Sequence, residues 1–308
     1  MSTIASHLTL ARRGINKIVE NIVRDPKGSY APTMGFKDIT TTEQFHRTIQ
    51  KSGLGVLSNV NEGDPHPEAD FSLMYQKDWY WAIYKLKYSL TREKALSDQY
   101  MTVQVPQITK MLRDSIIQTE NVLAAGVFNN GTSTATDYVN PDGLANFSYA
   151  HTLATGTSSN RGNGSSDADL SASELANAIT YLMQQVAHKG EPFLAAGPYT
   201  LIVHPSNFVV AKVLKDSGLL PGSPNNDVNV QGGMIEAVVT NPYLTDTDSW
   251  FMVDKAASNG GLHRLVFSTE ADVETWDDPD KGYVHHGASI RRQYGCNHWR
   301  GLWGSYGA

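Results

Sequence analysis

Apolar residues at Ile4, Leu8, Ile15, Ile18, Val19, Ile22 and Val23 recur at helical spacing, with Arg12, Arg13, Lys17 and Arg24 between them. That spacing predicts an amphipathic basic helix ending near Asp25-Pro26, because proline cannot continue a helical ladder. Such a helix suits an arm laid on another part of the same assembly better than a membrane surface. The prolines and glycine between Asp25 and Thr33 then form its linker. From Lys77 to Leu90 the period changes to two. Tyr80, Ala82, Tyr84, Leu86, Tyr88 and Leu90 fall on one face, and Trp79, Trp81 and Ile83 give way to Lys85 and Lys87 on the other. The predicted strand is about twice the usual ~5–6 residues. Before it, Asn59 to Asp70 carries Glu62, Asp64, His66, Glu68 and Asp70 among two prolines and a glycine, the composition of an exposed loop tip. Strand pairing across that tip makes a long hairpin whose far-end aromatics, Trp79 and Trp81, need cover from outside the subunit. A strand in the middle of a sheet, buried on two faces, is the alternative.

Thr91 is placed to cap a short helix through Ser97. Beyond Pro106, the residues Ile108, Met111, Leu112, Ile116, Val122, Leu123 and Val127 hold a helical period to Phe128, a beam of about 20 residues or ~30 Å. Asn129-Asn130-Gly131 is expected to stop it through a left-handed glycine. Thr132 to Asp169, rich in Gly, Ser, Thr and Asn, predicts a surface loop, with Thr155 to Ser166 resembling a flexible linker. Ser171 and Glu174 form a capping box ahead of an apolar stripe at Leu175, Ile179, Leu182, Met183 and Val186, and His188, Lys189 and Gly190 close that helix. Tyr199 to Lys255 predicts strand, helix through Lys215, long polar loop, strand, connection and strand. Gly261 to Trp276 and Tyr283 to Tyr294 alternate as paired strands joined by a turn over Asp277 to Gly282. Trp299, Trp303 and Tyr306 are expected to pack the chain's end.

Composition narrows the function. The 308 residues are enough for a large core or two sub-domains. With 25 basic and 31 acidic residues the formal charge is −6, which argues against a nucleic-acid-binding surface. The charged fraction of 18% lies below the usual value of about 25%, leaving neutral polar surface that a partner can cover. The single cysteine, Cys296, cannot build a disulfide framework or a thiolate zinc site, and is expected to be a buried thiol rather than a nucleophile. No basic n-region leads into an apolar segment and no apolar run approaches ~18 residues, so secretion by that route and a membrane span are not expected.

Candidate chemistry is thin. Asp64-Pro65-His66-Pro67-Glu68 holds metal-ligand residue types, but the prolines splay neighbouring side chains and no second ligand pair follows at a defined spacing, so an ordinary turn is predicted. His285 and His286 are adjacent on a predicted strand and point to opposite faces. The glycines of residues 155–166 lack the Gly-Lys-Ser/Thr that opens a phosphate-binding helix. A hydrolase using His204, His263, His285, His286 or His298 with Asp272, Asp277 or Asp280 is the competing reading, and no HExxH, GxSxG or paired-carboxylate pattern supports it. No catalytic, cofactor-binding or metal residue is assigned, and no cofactor is expected.

The order of elements resembles the major capsid protein of tailed bacteriophages, a fold shared with encapsulin shells, and is most similar to the Mu-like major head subunits. The residues carrying the likeness are Tyr88-Ser-Leu-Thr-Arg-Glu93, Leu201-Ile-Val-His-Pro205, Glu236-Ala-Val-Val-Thr-Asn-Pro-Tyr-Leu244 and Asp248-Ser-Trp-Phe251. The resemblance implies an α+β fold with residues 1–32 as an N-terminal arm and 33–95 as strands plus an extended hairpin loop at about 50–77. It implies a peripheral domain of 96–169 and 257–308 with a spine helix at 106–128, and an axial domain at 170–256. It further implies a non-enzymatic shell subunit that assembles with itself into hexamers and pentamers around double-stranded DNA. The DNA is held without sequence-specific binding, in a virion capsid built in the host cytoplasm. A portal protein and separate scaffolding and decoration proteins are the implied partners, with no membrane. The separate scaffold is inferred from a chain that leads from Met1 directly into the arm. Intersubunit contacts are expected at Glu62, Asp64, His66, Glu68, Asp70, Trp79, Trp81, Arg12 and Arg13. An encapsulin-like compartment enclosing protein cargo is the alternative within the same fold.

Overall fold

The structure, a computed structural model, describes residues 29–91, 93, 105–153, 156–158, 160–161, 167–220, 227–256, 261–267 and 272–307. The predicted N-terminal helix, with Arg12 and Arg13, and most of the predicted short helix after Thr91 lie outside the described residues. Strands β1 (Lys37–Thr41), β2 (Phe45–Lys51), β3 (Leu73–Tyr80) and β4 (Ala82–Thr91) lead to helix α1 (Val105–Asn129). After the short strands β5 (His151–Leu153) and β6 (Gly156–Ser158) come α2 (Ala172–Gln184), β7 (Tyr199–Val203), α3 (Phe208–Asp216), β8 (Ile235–Thr240) and β9 (Trp250–Asp254). The chain finishes with β10 (Leu262–Phe267), β11 (Asp272–Asp278), β12 (Tyr283–Cys296) and β13 (Leu302–Ser305). The class is α+β.

Two sheets carry the body. In the first, β1, β10, β12 and β11 lie in that order and β4 also pairs with β12. The 14-residue β12 binds β11 antiparallel from Tyr283 to Ser289 and β10 from Arg292 to Cys296. The second runs β13-β9-β7-β8, with β7 and β8 parallel and joined through α3. Every residue of β7, β9 and β13 is buried. Period-two alternation then divides their side chains between two cores. Ile202, Phe251, Val253 and Leu302 join Phe128, Phe147, Met34 and Tyr294 beside α1. Leu201, Val203, Trp250, Met252 and Trp303 join Leu175 and Leu182 of α2 and Ala211 and Leu214 of α3. One sheet is therefore the wall shared by both cores, and it fixes how α1 and α2 sit relative to each other. The 25 residues of α1 give a beam of about 37 Å at 1.5 Å per residue.

The capping box is seen at Ser171, whose Oγ accepts from Glu174 N at 3.3 Å. Four expectations change. The strand predicted over residues 77–90 is interrupted at Trp81: β3 pairs with β2, whereas β4 pairs with β12. Helix α2 ends at Gln184, and residues 186–192 turn back, with Val186 bridged to Pro192 and His188-Lys189-Gly190 in the turn between them. The segment expected to be a surface loop contains Asn140, Asn146, His151 and Asn160, all buried. His151 Nδ1 lies 2.7 Å from Asp142 Oδ2 and its Nε2 lies 2.9 Å from Asn160 Oδ1, with the ring stacked on Trp299 at 4.7 Å. Asn160 Nδ2 donates to Asn146 O, so His151 and Asn160 are held by polar partners, while the side chains of Asn140 and Asn146 are buried without one and Phe147 and Leu153 of the same segment are buried apolar residues.

Gly131 follows the end of α1 at Asn129 without the expected left-handed backbone, and glycine is required there for space. It is absent from the positive-φ glycines, and a Cβ there would lie 2.4 Å from the Phe147 ring and 2.4 Å from Tyr306 Oη. Tyr306 Oη in turn donates to Phe128 O at 2.6 Å, so neither neighbour can step aside without disturbing the core. Gly131→Ala is expected to cost about 1–3 kcal/mol through overpacking and to lower the melting temperature by several degrees. A circular-dichroism melt checks this, and an unchanged midpoint would show that Phe147 and Tyr306 yield freely.

Candidate subunit interface

Strands β2 and β3 form a hairpin whose root is fastened to the body. Thr48 Oγ1 donates to Asn297 Oδ1 at 2.8 Å, and Gln50 Nε2 donates to Asn297 O. On its other side Gln50 Oε1 faces His188 Nε2 at 3.2 Å, and Tyr75 packs against the His188 ring at 5.9 Å. Lys189 Nζ donates to Asp70 O at 3.0 Å. Within the hairpin, Arg47 Nε and Nη2 each reach an Asp78 oxygen at 2.7 Å, and that bond holds the Asp78 carboxyl below its ordinary range. Both side chains are solvated, so the pair sets register more than stability.

The root also explains Trp79. Instead of awaiting a neighbour, its indole is 2% exposed and sits over Gly295, where a Cβ would be 2.4 Å from the ring, with His263 at 4.7 Å. Lys77 Nζ lies 3.5 Å from the centre of the same indole and donates to the carbonyls of Thr136 (2.7 Å) and Val139. Burial pushes the Lys77 amine down to about 8. The expectation that Trp79 faces another copy is thus corrected: its own chain supplies the cover. Trp81, at the change of strand partner, is half-buried.

Beyond Ser52 the character reverses. Ser52 closes the root by exchanging bonds with Ser72, and every residue from 53 to 73 is exposed. Glu62, Asp64, His66, Glu68 and Asp70 all lie in this tip, which contains no Lys or Arg. The tip also displays Leu54, Val60, Phe71 and Leu73, together with Val56 at 85% and Leu57 at 97% exposure. This apolar run, visible in the sequence as Leu54 to Val60 but overlooked beside the acidic cluster, is surface that a solvated monomer has no reason to show. Further exposed apolar side chains stand on the body: Ile83, Leu86 and Trp276 on the first sheet, and Val209, Val210 and Val213 on α3.

The histidines proposed for hydrolytic chemistry, and Cys296, are each engaged in contacts of their own. Cys296 is fully buried and donates to His298 O at 3.1 Å, and burial pushes its thiol up to about 12. His285 Nδ1 lies 2.7 Å from Ser89 Oγ on the neighbouring strand, and burial lowers His286. His263 is enclosed beside Trp79, and His204 caps the turn into α3 by accepting from Ser206 N at 3.2 Å. Among the described residues no group of three or more His, Cys, Asp or Glu is arranged to hold a metal, and no helix is long and apolar enough to cross a membrane.

Against known proteins, residues 81–304 match a family model described as phage capsid protein. Among solved structures the chain is similar to the capsid of Ralstonia phage GP4, with 11% identity, 91% of each chain covered and a TM-score of 0.57. A structure from Microbacterium phage Oxtober96 gives 11% identity, 91% of each chain and a TM-score of 0.56. The capsid of cyanophage P-SCSP1u gives 12%, with 89% of this chain and 86% of that one covered, at a TM-score of 0.55. At such identities the likeness is one of fold. No curated protein sequence matches significantly.

Proposed function

Since the chain belongs to the phage capsid protein family, it is a shell-forming structural protein, and we propose that its hairpin tip is the segment by which one subunit grips the next. The observation that carries this reading is the contrast between root and tip: a root bonded to Asn297, His188 and residues 136–139, and a tip whose 53–73 stretch is exposed throughout and rich in Leu, Val and Phe. Closing such heterologous contacts around fivefold and sixfold axes yields pentamers and hexamers. Interfaces of that kind bury on the order of 2,000–5,000 Å² each, enough to stabilise a container without covalent bonds.

The two cores support a division into a peripheral part around α1 and the first sheet, and an axial part at residues 170–256 around α2, α3, β7, β8 and β9. The net charge of −6 suits a container whose packaged DNA must also leave it, because a strongly basic lining would retain phosphates. A portal, scaffolding and decoration proteins, and assembly in a host cytoplasm, belong to the same proposal. Purified protein examined by sedimentation and negative-stain microscopy is expected to give capsomers or shells. Deleting residues 59–69, which keeps the Asp70 carbonyl that Lys189 binds, is expected to lower the assembled fraction at least roughly tenfold while leaving the melting temperature nearly unchanged, since the rest of the tip touches little of its own body. Undiminished assembly of the deletion variant would remove the hairpin from the interface.

A further inference from the structure

A cleft of about 360 Å³ opens between α1 and β4, which pairs with β12 alone among the described strands. Its walls are Leu112 and Ile116 of the helix, Tyr84 and Leu86 of β4, and Ala288 and Ile290 of β12, among others. The two hydroxyls that α1 brings to the cleft are already bonded: Ser115 Oγ donates to Met111 O at 2.9 Å, and Thr119 Oγ1 donates to Ser115 O at 2.7 Å. The helical wall therefore offers apolar surface to an occupant and no free hydroxyl. Leu86 in the cleft is 51% exposed, and on the outward side of α1 Met111 and Val122 are exposed as well. Apolar surface gathered in this way calls for cover.

The chain's own N-terminal segment is placed to supply it. Residues 1–28 lie outside the described residues, and the chain joins the described body at Ser29 and Tyr30. Tyr30 N donates to Asn121 Oδ1 at 2.9 Å and its ring packs edge-on against Tyr243 at 6.3 Å, so the segment departs from beside α1. At about 100° per residue, Asn121 lies across the helix from Leu112, Ser115, Ile116 and Thr119. The stripe between them holds Met111, Gln118 and Val122, all exposed. Five extended residues, 24–28, reach about 16 Å, enough to cross a helix roughly 10–12 Å wide. Ahead of them Ile15, Ile18, Val19, Ile22 and Val23 share one helical face, and Asn16, Lys17, Glu20, Asn21 and Arg24 share the other. From Ile15 to Ile22 a helix rises about 10 Å, as does α1 from Leu112 to Thr119. A helix this short and this rich in β-branched residues is marginal alone in water, so its apolar face needs a seat.

We propose that residues 15–23 dock in cis, crossing Met111 and Val122 and laying their Ile and Val face into the cleft between α1 and β4 of their own chain. The tether selects the same chain over a second copy. A segment held by a linker of a few residues is present at an effective concentration of about millimolar, far above that of other copies in dilute solution. The inference does not depend on the role of the hairpin tip.

The test uses the full-length chain at low concentration, with a short bis-maleimide as the probe. A chain with Ile18→Cys and Leu86→Cys is expected to link within itself and to run as a faster-migrating monomer on a denaturing gel, with the buried Cys296 unlabelled. The control, Ile18→Cys with Lys212→Cys on α3, is expected not to link. A second measurement leaves the cleft intact: Ile15→Asp with Ile22→Asp is expected to speed tryptic cleavage after Lys17 at least tenfold, because cleavage follows the population of undocked segment. An internal link together with that acceleration upholds docking in cis. Links formed only between copies overturn it in favour of a second chain. The absence of any link, with Lys17 cut equally fast in both proteins, overturns the seat itself.

Discussion

Replacing Glu120 with alanine is expected to destabilise the subunit by about 3–5 kcal/mol, the cost of leaving a buried cation without its counter-charge. Glu120 lies on α1 with a side chain 4% exposed, between Arg264 of β10 and Arg292 of β12. Its Oε1 accepts from Arg292 Nε at 2.9 Å and its Oε2 from Arg264 Nη1 at 3.3 Å. The two arginines are not equivalent. Arg264 keeps a second carboxylate, with Nε donating to Asp38 Oδ1 at 2.6 Å. Burial would lower its guanidinium, and the bonds and charges of Asp38 and Glu120 more than offset that, leaving it raised. Arg292 keeps only the carbonyl of Arg291, at 3.0 Å, so it bears most of the loss. Removing Arg292 as well, in Glu120→Ala with Arg292→Met, is expected to recover part of the stability, because both buried charges then go together. Denaturant midpoints of the two variants check the argument. A loss below about 1 kcal/mol for Glu120→Ala would mean that water reaches the cluster and screens it.

How far the sequence foretold this fold depends on whether the deciding contact was local. The capping Ser171, the apolar β7 and the paired β11 and β12 follow from periods of 3.6 and 2 that neighbouring residues impose. The break at Trp81 is invisible to that reasoning, because alternation from Tyr80 to Leu90 continues undisturbed while the strand exchanges β2 for β12. Gly131 was legible as a stop, but its necessity comes from Phe147 and Tyr306, remote in the chain. The described residues between 140 and 160 look like solvent-facing loop because only isolated apolar residues, Phe147 and Leu153, reach the interior, and the burial of His151 and Asn160 rests on hydrogen bonds that no sequence period announces. At the hairpin the exposure of the acidic tip was legible, and Trp79 was misplaced. The sequence shows an aromatic in need of cover, and cannot show that Gly295 provides a flat seat for it within the same chain.

Acidification from pH 7 to pH 5 is expected to lower the melting temperature by roughly 10 °C, chiefly through three of the histidines that the fold keeps neutral. Burial, followed by the nearby Arg300, holds His188 at about 4 and His298 at about 4, and burial with His46 and Lys77 holds His263 at about 3. All three lie below the ordinary value of 6.5. The unfolded chain therefore binds protons between pH 6.5 and pH 4 that the folded chain refuses, so stability is complete above pH 6.5 and drains away as pH falls through that window. At pH 5 each enclosed ring contributes up to about 2 kcal/mol of loss, with His188, the least enclosed, contributing less. His188 and His263 flank the hairpin root, one opposite Gln50 and the other against Trp79, so their protonation should loosen the hairpin before the cores melt. Amide exchange followed at pH 5 is then expected to rise first at residues 46–51 and 74–80, ahead of β7 and β9. The substitution His263→Gln should flatten the pH dependence of the melting temperature by about a third to a half, since it removes one of the two deepest rings without adding a titrating group. Equal melting temperatures at pH 7 and pH 5 for the unaltered chain would show that the rings accept protons in place, and that the root of the hairpin is wetter than its packing around Trp79 implies.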